Sequence, residues 1–130
     1  DRGQGFNDAI AGTEIEVVAK QVADFDRTKG LSVMENILQA QPEIDAVFAH
    51  NDEMALGAQK AIEASGREII IVGFDATDDA VAAVKEGKMS ATVAQQPSLI
   101  GELCVETAKK ILDGESVEDF VPVDLQLVTE

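Results

Sequence analysis

The chain has 130 residues, of which 45% are hydrophobic and 27% are charged, proportions that fit one globular domain and exclude a disordered tail or a fibre. Lysine and arginine number 10 and aspartate and glutamate number 25, which gives a formal net charge of −15. A surface this acidic repels phosphate groups, so we expect neither nucleic acid nor anionic lipid as a partner.

Helix-like and strand-like segments alternate along the chain, judged by the spacing of apolar residues and by the glycines and prolines between segments. In chain order, the pattern predicts helices over residues 2–10, 28–39, 52–65, 78–86 and 98–112, and strands over residues 15–23, 45–49, 69–74, 90–94 and 122–128. Strands separated by helices of this length are typical of right-handed βαβ units. The predicted fold class is therefore α/β, with a Rossmann-like, three-layer parallel sheet and helices on both faces.

The ends of the longer predicted helices carry residues typical of helix caps. Asp52 is predicted to cap the third helix and Ser98 to cap the last one, while Gly66 and Gly114 follow their ends. The single cysteine, Cys104, excludes an internal disulfide and a Cys-rich zinc site. It shares a helical face with apolar residues, so we expect it to be a small residue of the core.

The first predicted helix has no strand before it. In a doubly wound sheet the first strand is usually central. We therefore expect the sheet to lack its first strand or strands and the chain to begin within a longer protein, so that a missing leader sequence says nothing about compartment. A sheet without its central strand exposes backbone groups and apolar faces, so we expect the chain alone either to self-associate or to be marginally folded.

Polar side chains directly follow the first four predicted strands. Open α/β sheets bind ligands at this carboxyl end of their strands. They belong to Asp24-Phe25-Asp26-Arg27, His50-Asn51-Asp52, Phe74-Asp75 and Gln95-Gln96. Carboxylates accept hydrogen bonds from hydroxyl groups, amides donate and accept, and an aromatic ring covers the apolar face of a sugar. The set predicts a site for a neutral polyhydroxy ligand. Two assignments stay open for Asn51 and Asp52, since one can cap the following helix while the other faces the ligand.

Five blocks of sequence resemble one family over essentially the whole chain. They are RGQGF at residues 2–6, ADFDRTKG at 23–30, FAHNDEMALG at 48–57, VGFD at 72–75 and AQQP at 94–97. The chain resembles the C-terminal half of the bacterial ribose-binding proteins, the substrate-binding components of ribose ABC transporters. The block NDEMA is shared with the wider superfamily of sugar-binding proteins and LacI-type repressors, whereas ADFDRT is narrower and indicates ribose.

The resemblance implies the C-terminal lobe of a type I periplasmic-binding-protein fold, in which two similar lobes joined by three crossing segments enclose a sugar. It implies no catalytic residue, no metal and no cofactor, and contacts to the sugar from Arg2, Phe25, Asn51, Asp75 and Gln95. Arg2 is assigned by the resemblance alone. The implied division is a sugar-binding lobe at residues 1–96, a segment at residues 97–124 that packs on the other lobe, and a return strand at residues 125–130.

The resemblance also implies partners and a location. The partners are D-ribose or a similar monosaccharide, the membrane permease of an ABC transporter, a chemoreceptor, and the N-terminal lobe that this chain does not contain. The location is the periplasm, or a lipid-anchored extracytoplasmic position in a Gram-positive bacterium. A chain of this kind is a binding protein and not an enzyme.

Two alternative functions stay open. The effector-binding domain of a LacI-type repressor has the same fold, although the acidity and the ADFDRT block favour the transporter component. Asp24, Asp26 and Thr28 match the Asp-x-Asp-x-Thr pattern of Mg²⁺-dependent haloacid-dehalogenase-like phosphatases, and later acids resemble their metal ligands. Against the phosphatase, the second strand ends in His50-Asn51, where a serine or threonine would hold phosphate, and no lysine ends a matching strand.

The remaining polar and sulfur-containing residues have structural interpretations. We expect His50, the only histidine, to pack against its neighbours rather than act as a base or a ligand. Arg27 and Lys29 open a helix and are predicted to pair with nearby acids. The sequence predicts core positions for Met34, Met54 and Met89.

Overall fold

The computed structural model describes residues 2–130, so residue 1 of the predicted lobe 1–96 lies outside the described residues. The described range contains, in chain order, α1 (Arg2–Ile10), α2 (Arg27–Ala40), β1 (Ala46–Phe48), α3 (Asp52–Ser65), β2 (Ile70–Phe74), α4 (Asp78–Lys85), β3 (Ala91–Ala94), α5 (Pro97–Leu112) and β4 (Gln126–Val128). All five predicted helices are confirmed, each to within about one residue at either end. The α/β fold class is confirmed.

The four strands form one sheet in the order β1-β2-β3-β4. β1 pairs in parallel with β2, with Phe48 opposite Val72, and β2 pairs in parallel with β3, with Phe74 opposite Val93. Helices α3 and α4 connect these three strands, as βαβ units require. The carboxyl ends of β1, β2 and β3 therefore lie at the same edge of the sheet.

The last strand departs from the predicted parallel sheet, because β4 pairs with β3 in the antiparallel direction, with Gln126 opposite Ala94. The chain leaves β3 at Ala94 and returns beside the same residue, where Gln96 Nε2 donates to the carbonyl oxygen of Asp124 at 2.9 Å. Because the chain re-enters the sheet beside the carboxyl end of β3, β4 has to run antiparallel to β3. Parallel pairing would need the chain to cross first to the amino end of β3. The pairing is confined to the 3 residues of β4, although the predicted strand began at Pro122.

Residues 15–23, predicted as a strand, form no strand in the structure. Their apolar side chains are largely in solvent, with 62% of Ile15 and 80% of Val22 exposed. A β-strand exists through hydrogen bonds to a neighbouring strand, and within residues 2–130 the only strand beside β1 is β2. The Val- and Ile-rich composition of this segment favours a strand, but no strand of the described chain pairs with it.

The cap of α3 is Asn51 rather than the predicted Asp52. Asn51 has an extended backbone, with φ −153° and ψ 168°, and its Oδ1 accepts a hydrogen bond from the amide of Met54 at 3.0 Å. A residue acts as N-cap only when its own backbone is outside the helix, and Asp52 is already the first helical residue. Gly66 ends this helix in the left-handed conformation, with φ 70°, as predicted.

The cap predicted at Ser98 is also wrong. Helix α5 begins one residue earlier, at Pro97, and the preceding Gln96 makes no side-chain capping bond. Proline suits the first helical position because its fixed φ is helical and because it has no amide hydrogen that needs an acceptor. Gly114 follows the helix with φ 77°, as predicted.

The apolar core lies between helices α2, α3 and α4 and the sheet. Its members include Met34, Leu56, Ile62, Ile71, Val84 and Met89. Met34 and Met89 are buried and Met54 packs against the cluster, so the three methionines are core residues as predicted.

Helices α2 and α3 cross in direct backbone contact through two glycines. A Cβ on Gly57 would lie 2.1 Å from the carbonyl oxygen of Arg27, and a Cβ on Gly30 would lie 2.8 Å from that of Met54. The obstructing atoms belong to the backbone and cannot turn away as a side chain can. These two glycines therefore set the distance between the two helices, and with it the positions of the loops that precede them.

Replacing Gly57 by alanine is expected to destabilise the chain by about 3 kcal/mol or more, because the added methyl group forces the two helices apart. Gly101→Ala in α5 is the matched control, since a Cβ there meets nothing within 4 Å. Alanine favours helix over glycine by about 1 kcal/mol, so the control should be neutral or slightly stabilising. Urea denaturation measures both variants, and equal midpoints for the two would contradict the close crossing.

Helix α5 has no buried residue. Cys104, predicted to lie in the core, is exposed, because within residues 2–130 no other element packs closely on this helix. The apolar residues of α5 thus form a face that no other element of the described chain covers. The packing of residues 97–124 on another lobe stays a prediction. None of the helices within residues 2–130 has both the length and the apolar composition that a membrane span requires.

Candidate functional site

Three of the predicted site residues follow the three parallel strands at one edge of the sheet. Asn51 comes shortly after β1, Asp75 directly after β2 and Gln95 directly after β3. Parallel strands end at the same edge, so the fold places the three residues at one edge of the sheet, as the sequence predicts, and it brings the side chains of Asp75 and Gln95 into direct contact. Helix α1 brings Arg2 to the same edge, where it contacts Asp75.

The Asp75 carboxylate is the centre of a hydrogen-bonded group. Its Oδ1 accepts from Arg2 Nη2 at 2.7 Å and from Gln95 Nε2 at 2.8 Å. Arg2 also donates through Nη1 to the carbonyl oxygen of His50 and lies over the ring of Phe74, 3.9 Å from its centroid. Arg2, Asp75 and Gln95 are thus brought together by direct contacts, including the arginine that only the resemblance indicated.

This group has hydrogen-bonding capacity left for a ligand. The side chains of Arg2 and Asp75 are 28% and 30% exposed, so both reach solvent at the edge of the sheet. Within residues 2–130, neither Oδ2 of Asp75 nor Nε of Arg2 has a hydrogen-bond partner. The opposite charges of the pair balance, which suits an uncharged ligand with hydroxyl groups better than an anion or a cation.

The two polar atoms of the Asn51 side chain have different surroundings. Its Oδ1 is used by the cap of α3, as described above. Its amide nitrogen has no partner among residues 2–130, and the residue is only 8% exposed. Of the two adjacent residues Asn51 and Asp52, Asn51 is therefore the cap of α3. Its amide nitrogen is still available to face a ligand.

Phe25 lies apart from the Asp75 group but shares a cleft with Arg2. The open cleft has a volume of about 620 Å³ and is lined by Arg2, Gly3, Gln4, Asn7, Lys20, Phe25 and His50. The ring of Phe25 is 59% exposed, so it can cover the apolar face of a ligand. Asn51, Asp75 and Gln95 do not line this cleft.

Two of the loops at this edge hold a strained backbone. Within residues 2–130, the non-glycine residues with positive φ are Asp24 at 49°, Phe25 at 56°, Asp75 at 115° and Ala76 at 53°. Left-handed backbone costs about 1–3 kcal/mol for such residues and concentrates at functional sites. The strain coincides with two predicted site residues, and nothing in the amino-acid pattern indicated it.

Helix α1 is held to the edge by contacts that sequence reasoning missed. The rings of Phe6 and Phe48 stack with centroids 5.3 Å apart and planes 6° apart. A Cβ on Gly3 would lie 2.9 Å from the ring of His50, so glycine permits this close approach. His50 packs against Phe48, with centroids 5.5 Å apart, as predicted. The sequence offered a signal, because Gly3 and Phe6 share a helical face next to Arg2.

The carboxylates of the phosphatase-like pattern already have partners. Asp24 binds the ammonium group of Lys29 at 2.7 Å, and this hydrogen bond raises the pKa of Lys29. Asp26 caps α2, with its Oδ1 accepting from the amide of Lys29 at 2.8 Å. Among residues 2–130, no group of three acidic, histidine or cysteine side chains is arranged to hold a metal ion.

Arg27 joins the beginnings of three helices. It donates to Glu53 at 2.7 Å and to Asp79 at 2.9 Å, and these hydrogen bonds, that of Glu53 first, raise the pKa of its guanidinium further above neutral pH. The prediction that Arg27 and Lys29 pair with acids is confirmed.

The fold is that of a class of solute-binding proteins. The structure superimposes with a TM-score of 0.87 on an ABC transporter periplasmic solute-binding protein from Actinobacillus succinogenes with bound D-allose, at 32% sequence identity, covering 98% of this chain and 46% of the other. A solute-binding protein from Bacillus halodurans with bound myo-inositol gives a TM-score of 0.84 at 44% identity, covering 98% of this chain and 45% of the other.

The chain belongs to the periplasmic binding protein domain family, which it matches over residues 1–116. It is 58% identical over 130 residues to the ribose import binding protein RbsB of Haemophilus influenzae. This match covers 100% of the chain but 44% of that relative, so the chain spans less than half of the protein it resembles. The resemblance to ribose-binding proteins is confirmed at the level of the family and of sequence similarity.

Proposed function

We propose that this chain forms one side of the sugar-binding site of a ribose import binding protein, the substrate-binding component of an ABC importer. The observation that carries the proposal is the Asp75 carboxylate held between Arg2 and Gln95 at the carboxyl edge of the sheet. The 58% identity to a ribose import binding protein supports ribose as the ligand. The chain acts by binding and carries out no catalytic step.

Each proposed contact uses a group that the fold leaves available. Oδ2 of Asp75 accepts from a sugar hydroxyl, and the amide nitrogen of Asn51 donates to one. Arg2 donates through Nε, and the ring of Phe25 covers the C–H face of the sugar. Gln95 acts partly through Asp75, whose Oδ1 it binds. Together these groups suit a small neutral ring with several hydroxyls.

The remainder of the site belongs to a second lobe. We propose that residues 1–96 form the sugar-binding lobe, that residues 97–124 pack against the second lobe, and that residues 125–130 return. The exposed apolar residues of α5 and the pairing of β4 with β3 support this division. The whole protein then works outside the cytoplasmic membrane with an ABC permease, and a chemoreceptor is a further proposed partner.

A repressor effector domain would use the same edge of the same fold. The importer is favoured because the relative with 58% identity is an import binding protein. The net charge of −15 points the same way, since it opposes contact with DNA.

The proposal is tested in a chimera in which this chain replaces the 130 matching residues of the Haemophilus influenzae relative. Calorimetric titration should give a micromolar or tighter Kd for ribose, and binding at least about tenfold weaker for galactose and allose. A chimera that melts cooperatively but releases no heat with any of the three sugars would overturn the proposal.

Magnesium should leave the chain unaffected. Asp24 and Asp26 are engaged with Lys29, and a ligand that binds the folded state raises the melting temperature. We expect the chain to melt at the same temperature in about 10 mM Mg²⁺, in about 10 mM Ca²⁺ and in NaCl of about equal ionic strength. A Mg²⁺ concentration about a hundredfold above the dissociation constant would raise the melting temperature measurably if a site existed. A rise of several degrees specific to Mg²⁺ and lost in Asp26→Asn would favour the phosphatase instead.

A further inference from the structure

Asp52 is a carboxylate inside the fold with no role in the site described above. Its exposure is 0%, and within residues 2–130 no lysine, arginine or histidine forms an ion pair with it. A carboxyl group without a cationic partner is costly to bury. Its position directly after Asn51 and beneath the loop of Asp75 suggests what it does there.

The two oxygens of Asp52 reach the loop that follows β2. Oδ2 accepts from the backbone amide of Thr77 at 2.7 Å, and Oδ1 accepts from the hydroxyl of Thr92 at 2.7 Å. The same hydroxyl accepts from the amide of Ala76 at 3.2 Å. The amide of Asp75 donates to a β3 carbonyl oxygen at 2.9 Å. The three successive backbone amides of residues 75–77 are therefore all hydrogen-bonded. Asp52 binds the last of them directly and the middle one through the hydroxyl of Thr92.

This loop is one of the two with left-handed backbone. Asp75 has φ 115° and Ala76 has φ 53°, conformations that L-residues adopt only where the surroundings enforce them. The hydrogen bonds from Thr92 and Asp52 to the amides of residues 76 and 77 supply that constraint. Without them the loop would relax toward ordinary dihedral angles and turn the Asp75 carboxylate away from Arg2 and Gln95.

The neighbouring strand provides the space for Asp52. A Cβ on Gly73 of β2 would lie 2.3 Å from Oδ1 of Asp52, so any larger residue would displace the carboxylate. Gly73 lies in β2, two residues before Asp75, which directly follows the strand. The strand that presents the ligand-binding carboxylate thus also accommodates the group that orients it.

We infer that Asp52 is a positioning residue for the sugar site: through Thr77 and Thr92 it holds the strained loop that aims the Asp75 carboxylate. The inference rests on the proposed function in one respect, that Asp75 contacts the ligand. Asp52 itself is fully buried, so it is not one of the proposed contacts to the sugar.

The first test is Asp52→Asn in the chimera described above. Asparagine has the same size but replaces one acceptor oxygen with an N–H donor, so it cannot accept from both threonines. We expect ribose affinity to fall about 10- to 100-fold, with loss of one charged hydrogen-bonding group. Met34→Ala, a truncation of a buried core residue in α2, is the control for general destabilisation, and its affinity should stay within about twofold.

The second test approaches the same contact from β3 and does not depend on Asp52 variants folding. Thr92→Ser keeps the hydroxyl and should keep ribose affinity, whereas Thr92→Val removes it and should weaken binding to a similar degree as Asp52→Asn. Unchanged affinity, to within about twofold, in folded Thr92→Val would overturn the inference, as would the same result for folded Asp52→Asn.

A third readout separates this inference from the proposed function. The side-chain amide of Gln95 donates to Asp75, so its proton chemical shifts report whether the carboxylate is in place. They should move toward free-glutamine values in Asp52→Asn and Thr92→Val but not in Met34→Ala. If the chimera binds no sugar while these shifts change, the proposed function fails and the positioning role stands. If the shifts do not change, the positioning role fails whether or not sugar binds.

Discussion

Replacing Asp75 by alanine is expected to lower the ribose affinity of the chimera by about 100-fold or more. The change removes an acceptor for the sugar and leaves Arg2 and Gln95 without the oxygen that both now bind. Each hydrogen bond to a charged group contributes about 1.5–3 kcal/mol, and tenfold in affinity corresponds to about 1.4 kcal/mol. Calorimetric titration of ribose measures the loss.

Asp78→Ala is the matched control for this change. It removes the same charge three residues further along the chain, from an exposed position in the first turn of α4. Its side chain makes no hydrogen bond to Arg2, Asp75 or Gln95, so ribose affinity should stay within about twofold. If Asp75→Ala were equally harmless, Asp75 would have no place in the site.

The 130-residue chain alone is expected to self-associate, since three unsatisfied surfaces lie on it. Helix α5 exposes Leu99, Ile100, Val105, Ile111 and Leu112, by 37% to 87%. Residues 15–22 expose a second apolar stretch, and β1 has one edge without a strand neighbour in the described chain. Exposed apolar patches and open strand edges both promote association. The net charge of −15 opposes it, so added salt should strengthen it.

Sedimentation velocity over a range of protein and salt concentrations measures this. Ile100→Lys together with Ile111→Lys should shift the chain toward monomer, because both side chains lie on the exposed apolar face of α5. Glu102→Gln together with Glu106→Gln changes the net charge by the same amount on the same helix and should leave association intact. A chain that stays monomeric at every concentration and salt level would contradict this expectation.

The helices were largely predictable from the sequence, for local reasons. Apolar spacing together with glycines such as Gly66 locates each helix, because helix hydrogen bonds form within one segment. The positions of Asn51, Asp75 and Gln95 followed from one rule, that side chains after parallel strands share an edge. Arg2 was reached only through family resemblance, since α1 follows no strand and its contact with Asp75 is 73 residues away in sequence.

The predictions that failed depend on contacts between distant segments. Cys104 has a core-like spacing, yet no element covers α5 in the described chain. Residues 15–23 have a strand-like composition, yet no strand pairs with them there. The direction of β4 depends on where the chain returns beside Ala94, which residue types do not encode. In each case the local pattern states what a segment can do, and the presence of a neighbour decides whether it does so.

By itself, the sequence determined the class of the fold, the helices to within about one residue at each end, and the residue types gathered at the edge of the sheet. Only the tertiary structure decided the separate roles of the adjacent residues Asn51 and Asp52. Both are short polar residues suited to a cap, and their difference comes from the contacts of Asp52 with Thr77 and Thr92, which lie 25 and 40 residues away in sequence. An N-cap needs an extended backbone, which the turn into α3 assigns to Asn51, while the space beside Gly73 receives the carboxylate of Asp52.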